Sequence, residues 1–124
     1  MDITPLVPKG RQIITGYGDG GFKINQVFVG GSLLVFPERS IAWDVKDAAS
    51  LTPKHFQEIM DSLPPVELVL LGTGKSMQMA DSAIKTALKA RGIALDVMDT
   101  GAACRTYNVL MSEERRVAAA LIAV

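Results

Sequence analysis

Residues 67–75 read Glu67-Leu68-Val69-Leu70-Leu71-Gly72-Thr73-Gly74-Lys75. From Val66 to Leu71 the chain is apolar except at Glu67, and the run stops abruptly at Gly72-Thr73-Gly74. A short apolar run closed by a glycine turn and followed by helix-patterned sequence marks a strand covered on both faces, as in the parallel sheet of an α/β domain. The polar loop after it stands where open α/β sheets hold ligands, beyond the carboxyl ends of their strands.

Downstream of this strand, helical periodicity over Asp81 to Arg91 turns Ala80, Ile84, Ala87 and Leu88 inward and Lys85, Lys89 and Arg91 outward. Gly92 suits a helix C-terminus, and the basic last turn suits the helix dipole. Ile93 to Met98 reads as the next strand, Asp99-Thr100-Gly101 as the opening of a helix over about Ala102 to Met111. Ser112 to Arg116 turns the chain, and Val117 to Val124 closes it as a strand. The resulting β-α-β-α-β order with short connections predicts right-handed crossovers and a mostly parallel central sheet.

Upstream, Pro64-Pro65 ends a helix that Thr52-Pro53 starts, with a capping hydroxyl followed by proline at the first helical position. That helix is expected to run to about Ser62 and to bury Phe56, Ile59, Met60 and Leu63. Asp44 to Leu51 reads as a polar crossing. Before it, Gln12 to Tyr17, Phe22 to Val29, Leu33 to Phe36 and Ser40 to Trp43 read as strands separated by Gly18-Asp19-Gly20-Gly21 and Gly30-Gly31, an antiparallel β-meander with glycine turns. Residues 1 to 10, with Pro5 and Pro8, read as an extended arm. The fold class is therefore α/β: one three-layer domain over residues 1–124, with a central mixed, mostly parallel sheet and an N-terminal antiparallel meander.

Composition narrows the function classes. The chain has 124 residues, 48% hydrophobic and 21% charged, enough for one core and too few for two ordinary domains. Thirteen basic residues balance thirteen acidic ones, which argues against a general nucleic-acid binder. The single cysteine, Cys104, cannot form an internal disulfide. The stretch MDITPLVPKG has neither the basic start nor the apolar core of a signal peptide, and no run reaches the roughly 18 to 20 apolar residues that span a bilayer. A cytoplasmic protein without a transmembrane segment is expected.

The glycine loop invites comparison with phosphate-binding motifs and departs from them on spacing. A nucleotide-binding P-loop needs a glycine five residues before Gly74, where Val69 stands inside the strand. A dinucleotide fingerprint needs glycine where Met77 stands. If the strands at 66–71 and 93–98 are adjacent, Thr73 to Ser76 and Asp99 to Gly101 form a crevice, and Gly72, Thr73, Gly74, Lys75, Asp99, Thr100, Cys104, Arg105 and Asn108 are its candidate ligand-binding residues. Gly101, Arg105 and Asn108 share a face of the last helix, with Cys104 paired to Asn108. Arg105 suits a two-pronged hold on a carboxylate or phosphate, or an ion pair within the fold; Asp99 suits the crevice, or a plain helix cap. Cys104 lacks a base, since the only histidine, His55, lies on another helix and is expected to be a solvated surface residue; a structural thiol fits it better. No catalytic residues are assigned; one cysteine and one histidine leave too few soft ligands for zinc, and no acidic cluster has calcium-loop spacing, so no metal is expected. Trp43 is expected to cover an edge of the core.

Taken in order, Gly21-Phe22, Gly30-Gly31-Ser32-Leu33, Leu70-Leu71-Gly72-Thr73-Gly74, Arg91-Gly92-Ile93, Met98-Asp99-Thr100 and above all Ala103-Cys104-Arg105-Thr106-Tyr107-Asn108 closely resemble a widespread family of small single-domain proteins of unknown function. The family occurs in bacteria and archaea and includes the mitochondrial complex I (NADH:ubiquinone oxidoreductase) assembly factor 3. The resemblance runs from about residue 12 to the end. It implies a three-layer α/β fold with a central mixed sheet, no established enzymatic activity and no cofactor. The mitochondrial member works by binding other proteins while a membrane complex is assembled; with no targeting extension here, the bacterial members are the closer match. The expectation is a non-enzymatic binding or assembly module with the 72–76 and 99–108 crevice as its functional surface, with unknown protein partners, respiratory or other membrane-complex subunits among them, and with self-association into a homo-oligomer. The alternative is an enzyme or small-anion binder using Thr73, Gly74, Lys75, Thr100 and Arg105.

Overall fold

The apolar run that opened the reading lies at the heart of a computed structural model that describes residues 10–124. The arm expected over residues 1 to 10 falls, apart from Gly10, outside the described residues. Strand β6, Leu68–Gly72, is flanked on one side by β7, Ala94–Met98, and on the other by β8, Val117–Leu121, both parallel to it. Antiparallel to β8 runs β4, Leu33–Val35, and antiparallel to β4 runs β5, Ser40–Ala42. The sheet order is β5-β4-β8-β6-β7, a mixed sheet with two parallel and two antiparallel pairings.

Alternation along these strands builds two cores. Val69, Leu71, Ala118 and Ala120 face one way, against Phe56 and Ile59 and against Ile84 and Leu88 of α2, Ser82–Lys89. Leu70, Ala119 and Leu121 face the other way, against Ala103, Cys104, Tyr107 and Met111 of α3, Thr100–Ser112. Three alanines in β8 keep the central strand thin, so elements on both faces pack close to it. The outer layer beside α3 is completed by a separate antiparallel sheet, β1 Ile14–Gly18, β2 Gly21–Ile24 and β3 Val27–Gly30, whose Ile14, Phe22 and Ile24 are buried.

The expected single meander is thus corrected. Leu33, Leu34 and Val35 are all buried, so this strand needs cover on both faces and takes an interior place beside β8. The strand expected over Phe22 to Val29 is broken at Asn25-Gln26, both with positive φ (51° and 73°), the backbone a tight two-residue hairpin requires. Neither residue is glycine. The turn is held by Asn25, whose Oδ1 accepts the Ile13 N–H at 3.0 Å and whose Nδ2 donates to the Arg11 carbonyl at 3.1 Å.

The helix after Thr52-Pro53 begins as a 3-10 turn over Pro53–Phe56 and continues as α1, Gln57–Met60. It ends before Leu63, which is 80% exposed and not part of the buried stripe. His55 is half-buried rather than solvated: its Nδ1 accepts the Thr52 N–H at 2.9 Å, and its carbonyl accepts the Trp43 indole N–H at 2.8 Å. Trp43 meets Phe56 edge to face with centroids 5.7 Å apart, closing the core from one edge. At the surface, Arg11 and Arg116 converge on Glu38 at 3.1 and 2.7 Å and hold its carboxyl below the usual glutamate range, Arg116 most of all. Among the described residues no helix is long and apolar enough to cross a membrane.

Candidate functional site

The connection leaving β6 carries α2 on one face of the sheet, and the connection leaving β7 carries α3 on the other. Two adjacent parallel strands whose exits diverge leave a crevice at their carboxyl ends. A cavity of about 270 Å³ lies there, lined by Gly74, Lys75, Asp99, Gly101 and Arg105, with Tyr17 and Val124 beside them.

The crevice wall is stitched together by the residues the motif provides. Thr100 N–H donates to the Gly74 carbonyl and Gly74 N–H donates to Thr100 Oγ1, each at 2.9 Å, while Thr100 Oγ1 donates to the Ile122 carbonyl at 2.8 Å. Thr73 Oγ1 donates to the Ser76 carbonyl at 2.8 Å and accepts the Gln78 N–H at 2.9 Å, folding the glycine loop over itself. Both threonines are buried. Gly72 is required by this closeness, because a Cβ there would lie 2.8 Å from the Thr100 backbone. Asp99 caps α3, accepting the Ala102 N–H at 2.9 Å.

On α3 the predicted residues part company. Arg105 is exposed and donates to the Tyr17 hydroxyl at 2.8 Å, so its partner within the fold is a phenol and not a carboxylate. Cys104 points inward, 2% exposed, and burial pushes its thiol up to about 12, with the nearby Arg105 cation acting the other way. A thiol so shifted is almost wholly protonated at neutral pH and a poor nucleophile. Asn108 faces β1 and bonds to its backbone. Tyr107, whose phenol is likewise pushed up by burial, donates to the Gln12 carbonyl at 2.8 Å. Of the nine predicted residues, Gly74, Lys75, Asp99 and Arg105 line the cavity; Gly72, Thr73 and Thr100 build its wall, and Cys104 and Asn108 belong to the packing behind it.

Tyr17 is the residue that sequence reading missed. It arrives from β1, its ring lying so close over Gly101 that a Cβ there would meet the hydroxyl at 2.7 Å. Its only local signal is a bulky aromatic between two glycines, Gly16 and Gly18. Among the described residues no three histidine, cysteine, aspartate or glutamate side chains gather as a metal site.

The mixed sheet with helices on both faces makes this a small α/β domain, and residues 14–122 match the family described as "Protein of unknown function (DUF498/DUF598)"; the chain belongs to that family. It is 36% identical over 110 residues to "NADH dehydrogenase (ubiquinone) 1 alpha subcomplex assembly factor 3" of Danio rerio, covering 89% of this chain and 63% of that protein. The chain therefore spans about three fifths of the length of the curated mitochondrial relatives it matches. An uncharacterized protein of Rhodobacter capsulatus is 36% identical over 114 residues, covering 91% of this chain and 86% of that one. A crystal structure of a Bordetella parapertussis protein superimposes with a TM-score of 0.86 at 34% identity, covering 94% of this chain and 98% of that chain.

Proposed function

We propose that this protein is an assembly-type module that works through contacts with other proteins; its mitochondrial relatives are named as assembly factors. The observation that carries this reading is the employment of the crevice's polar groups: Thr73 and Thr100 are spent on internal hydrogen bonds and Asp99 on capping α3. Likeness to an assembly factor over 89% of the chain supports it from a second direction. Subunits of a respiratory or other membrane complex are the partners proposed, in a cytoplasmic setting, with self-association part of the same proposal. In the source organism, deletion of the gene is expected to leave incomplete subassemblies of the respiratory NADH dehydrogenase on native gels, and in-cell cross-linking of the tagged chain is expected to capture one of them. A full-size complex at normal level, with no such cross-link, overturns the reading.

A second reading is favoured by one feature: Lys75, Arg105 and the Tyr17 hydroxyl surround the cavity at the switch point, an arrangement able to hold a small anion. Ligand bound to the native state at a hundred times its Kd adds about 2.7 kcal/mol of stability. A thermal-shift panel of nucleotides, phosphates and carboxylic acids is expected on this reading to raise the melting temperature, and Arg105→Ala to erase the rise. No rise with any member of the panel defeats it.

A further inference from the structure

The outer edge of the central sheet is open at β7, which pairs with β6 alone among the described residues. Ala94 N–H donates to the Glu67 carbonyl at 2.9 Å, and the Met98 carbonyl accepts the Thr73 N–H at 3.0 Å. In a parallel ladder the backbone alternates, so Ala94, Asp96 and Met98 face β6 while the N–H and C=O groups of Leu95 and Val97 face outward. Beside this edge runs a groove of about 340 Å³ between α2 and β7, floored by Ile93, Ala94 and Leu95 and rimmed by Lys85 and Lys89.

These two lysines stand four residues apart on one face of α2, an arrangement that costs the helix a few tenths of a kcal/mol through like-charge repulsion. Neither forms an ion pair among the described residues, whereas Arg91, at the end of the same segment, is engaged by Asp61 at 3.7 Å and the Met60 carbonyl at 3.3 Å. An apolar floor, two outward backbone donors and a rim of unpaired cations call for one kind of occupant.

We infer that an extended, acidic segment of a protein partner docks in this groove and adds to the sheet as a strand beside β7. Backbone groups of the incoming strand pair with Leu95 and Val97, its carboxylates meet Lys85 and Lys89, and its alternate apolar side chains cover Leu95. A second copy of this chain fits poorly, because pairing through the same edge brings its own Lys85 and Lys89 to the groove, like charge against like. The inference rests on the protein-contact reading above and locates the contact.

The test is a titration of the full chain, followed by amide NMR, with a synthetic peptide alternating glutamate and valine. Expected are shifts at Lys85, Lys89, Leu95 and Val97, slowed hydrogen exchange of the Leu95 and Val97 amides, and at least about tenfold weaker binding by the exposed double variant Lys85→Glu/Lys89→Glu, which then prefers a lysine-valine peptide. Three results overturn the inference: no shift at Leu95 and Val97 at millimolar peptide; shifts without added amide protection that oligouridylate or phosphatidylglycerol vesicles reproduce; or a dimer by light scattering whose Leu95 and Val97 amides are already protected from exchange without peptide. Peptide binding without cross-links to respiratory subassemblies faults the assembly reading alone, and cross-links without peptide binding fault the groove alone.

Discussion

Asn108 on α3 closes a two-way hydrogen bond with Ile14 on β1, its Oδ1 accepting the Ile14 N–H at 3.0 Å and its Nδ2 donating to the Ile14 carbonyl at 2.7 Å across 94 residues of sequence. The side-chain amide takes the place of a neighbouring strand for the first residue of β1. With the Tyr107 hydroxyl on the Gln12 carbonyl, it joins the small sheet to the helix that walls the crevice.

Replacing Asn108 by leucine leaves the Ile14 N–H and C=O without partners in a part-buried position. Each unmade bond of this kind costs about 1–3 kcal/mol when fully buried, so the two lost in Asn108→Leu are expected to lower stability by roughly 2–6 kcal/mol, toward the lower end because the site is only part-buried. Urea denaturation checks it: the midpoint falls while the slope stays the same. An unchanged midpoint would show that β1 does not depend on this amide.

Gly72 and Gly101 offer a graded pair. A Cβ at Gly72 meets the Thr100 Cα at 2.8 Å, backbone that cannot move without shifting α3, whereas a Cβ at Gly101 meets the end of the Tyr17 ring, which swings aside. Gly72→Ala is expected to cost about 1–3 kcal/mol, in the range of overpacking, and Gly101→Ala less. Thermal unfolding of the two variants decides the order; equal losses would mean that Tyr17 is held as firmly as backbone.

The Cys104 thiol sets a pH dependence of known sign. Its value in the folded chain is raised from 9.0 to about 12, so above pH 9 the unfolded chain releases a proton that the folded chain keeps. Stability is fully present below that point and falls as pH rises toward 12. Cys104→Ala is expected to flatten the part of the decline that starts near the free thiol's value, leaving the later part due to Tyr107, also raised. The same burial predicts that iodoacetamide at pH 8 labels Cys104 only after denaturant is added; fast labelling of the native protein would contradict it.

Several features of the fold could be read from local chemistry. The run Leu68 to Leu71 demands cover on both faces wherever it lies, Asp81 and Asp99 announce helix starts by their capping oxygens, and the spacing of Ile84 with Leu88 turns one face of α2 inward. The hairpin at Asn25-Gln26 escaped notice because positive φ is usually supplied by glycine; here side-chain hydrogen bonds to Arg11 and Ile13 offset the strain. The crevice was half legible. Thr73, Gly74, Lys75 and Asp99 follow directly from where β6 and β7 end, but helical spacing alone could not tell that Arg105 looks into the cavity while Asn108 ties down a strand.

By itself, then, the sequence determined where β6, β7, β8, α2 and α3 lie and which of their faces are apolar, since periodicity, capping and turn geometry act over a few residues. Tertiary structure alone decided that β4 pairs with β8 and not with β3, that Tyr17 closes the crevice from a strand 88 residues before Arg105, and that β7 has no second strand neighbour among the described residues. The reason is physical: strand partners are selected by which surfaces can be buried together, a free energy shared between segments far apart in the chain and written in neither one alone.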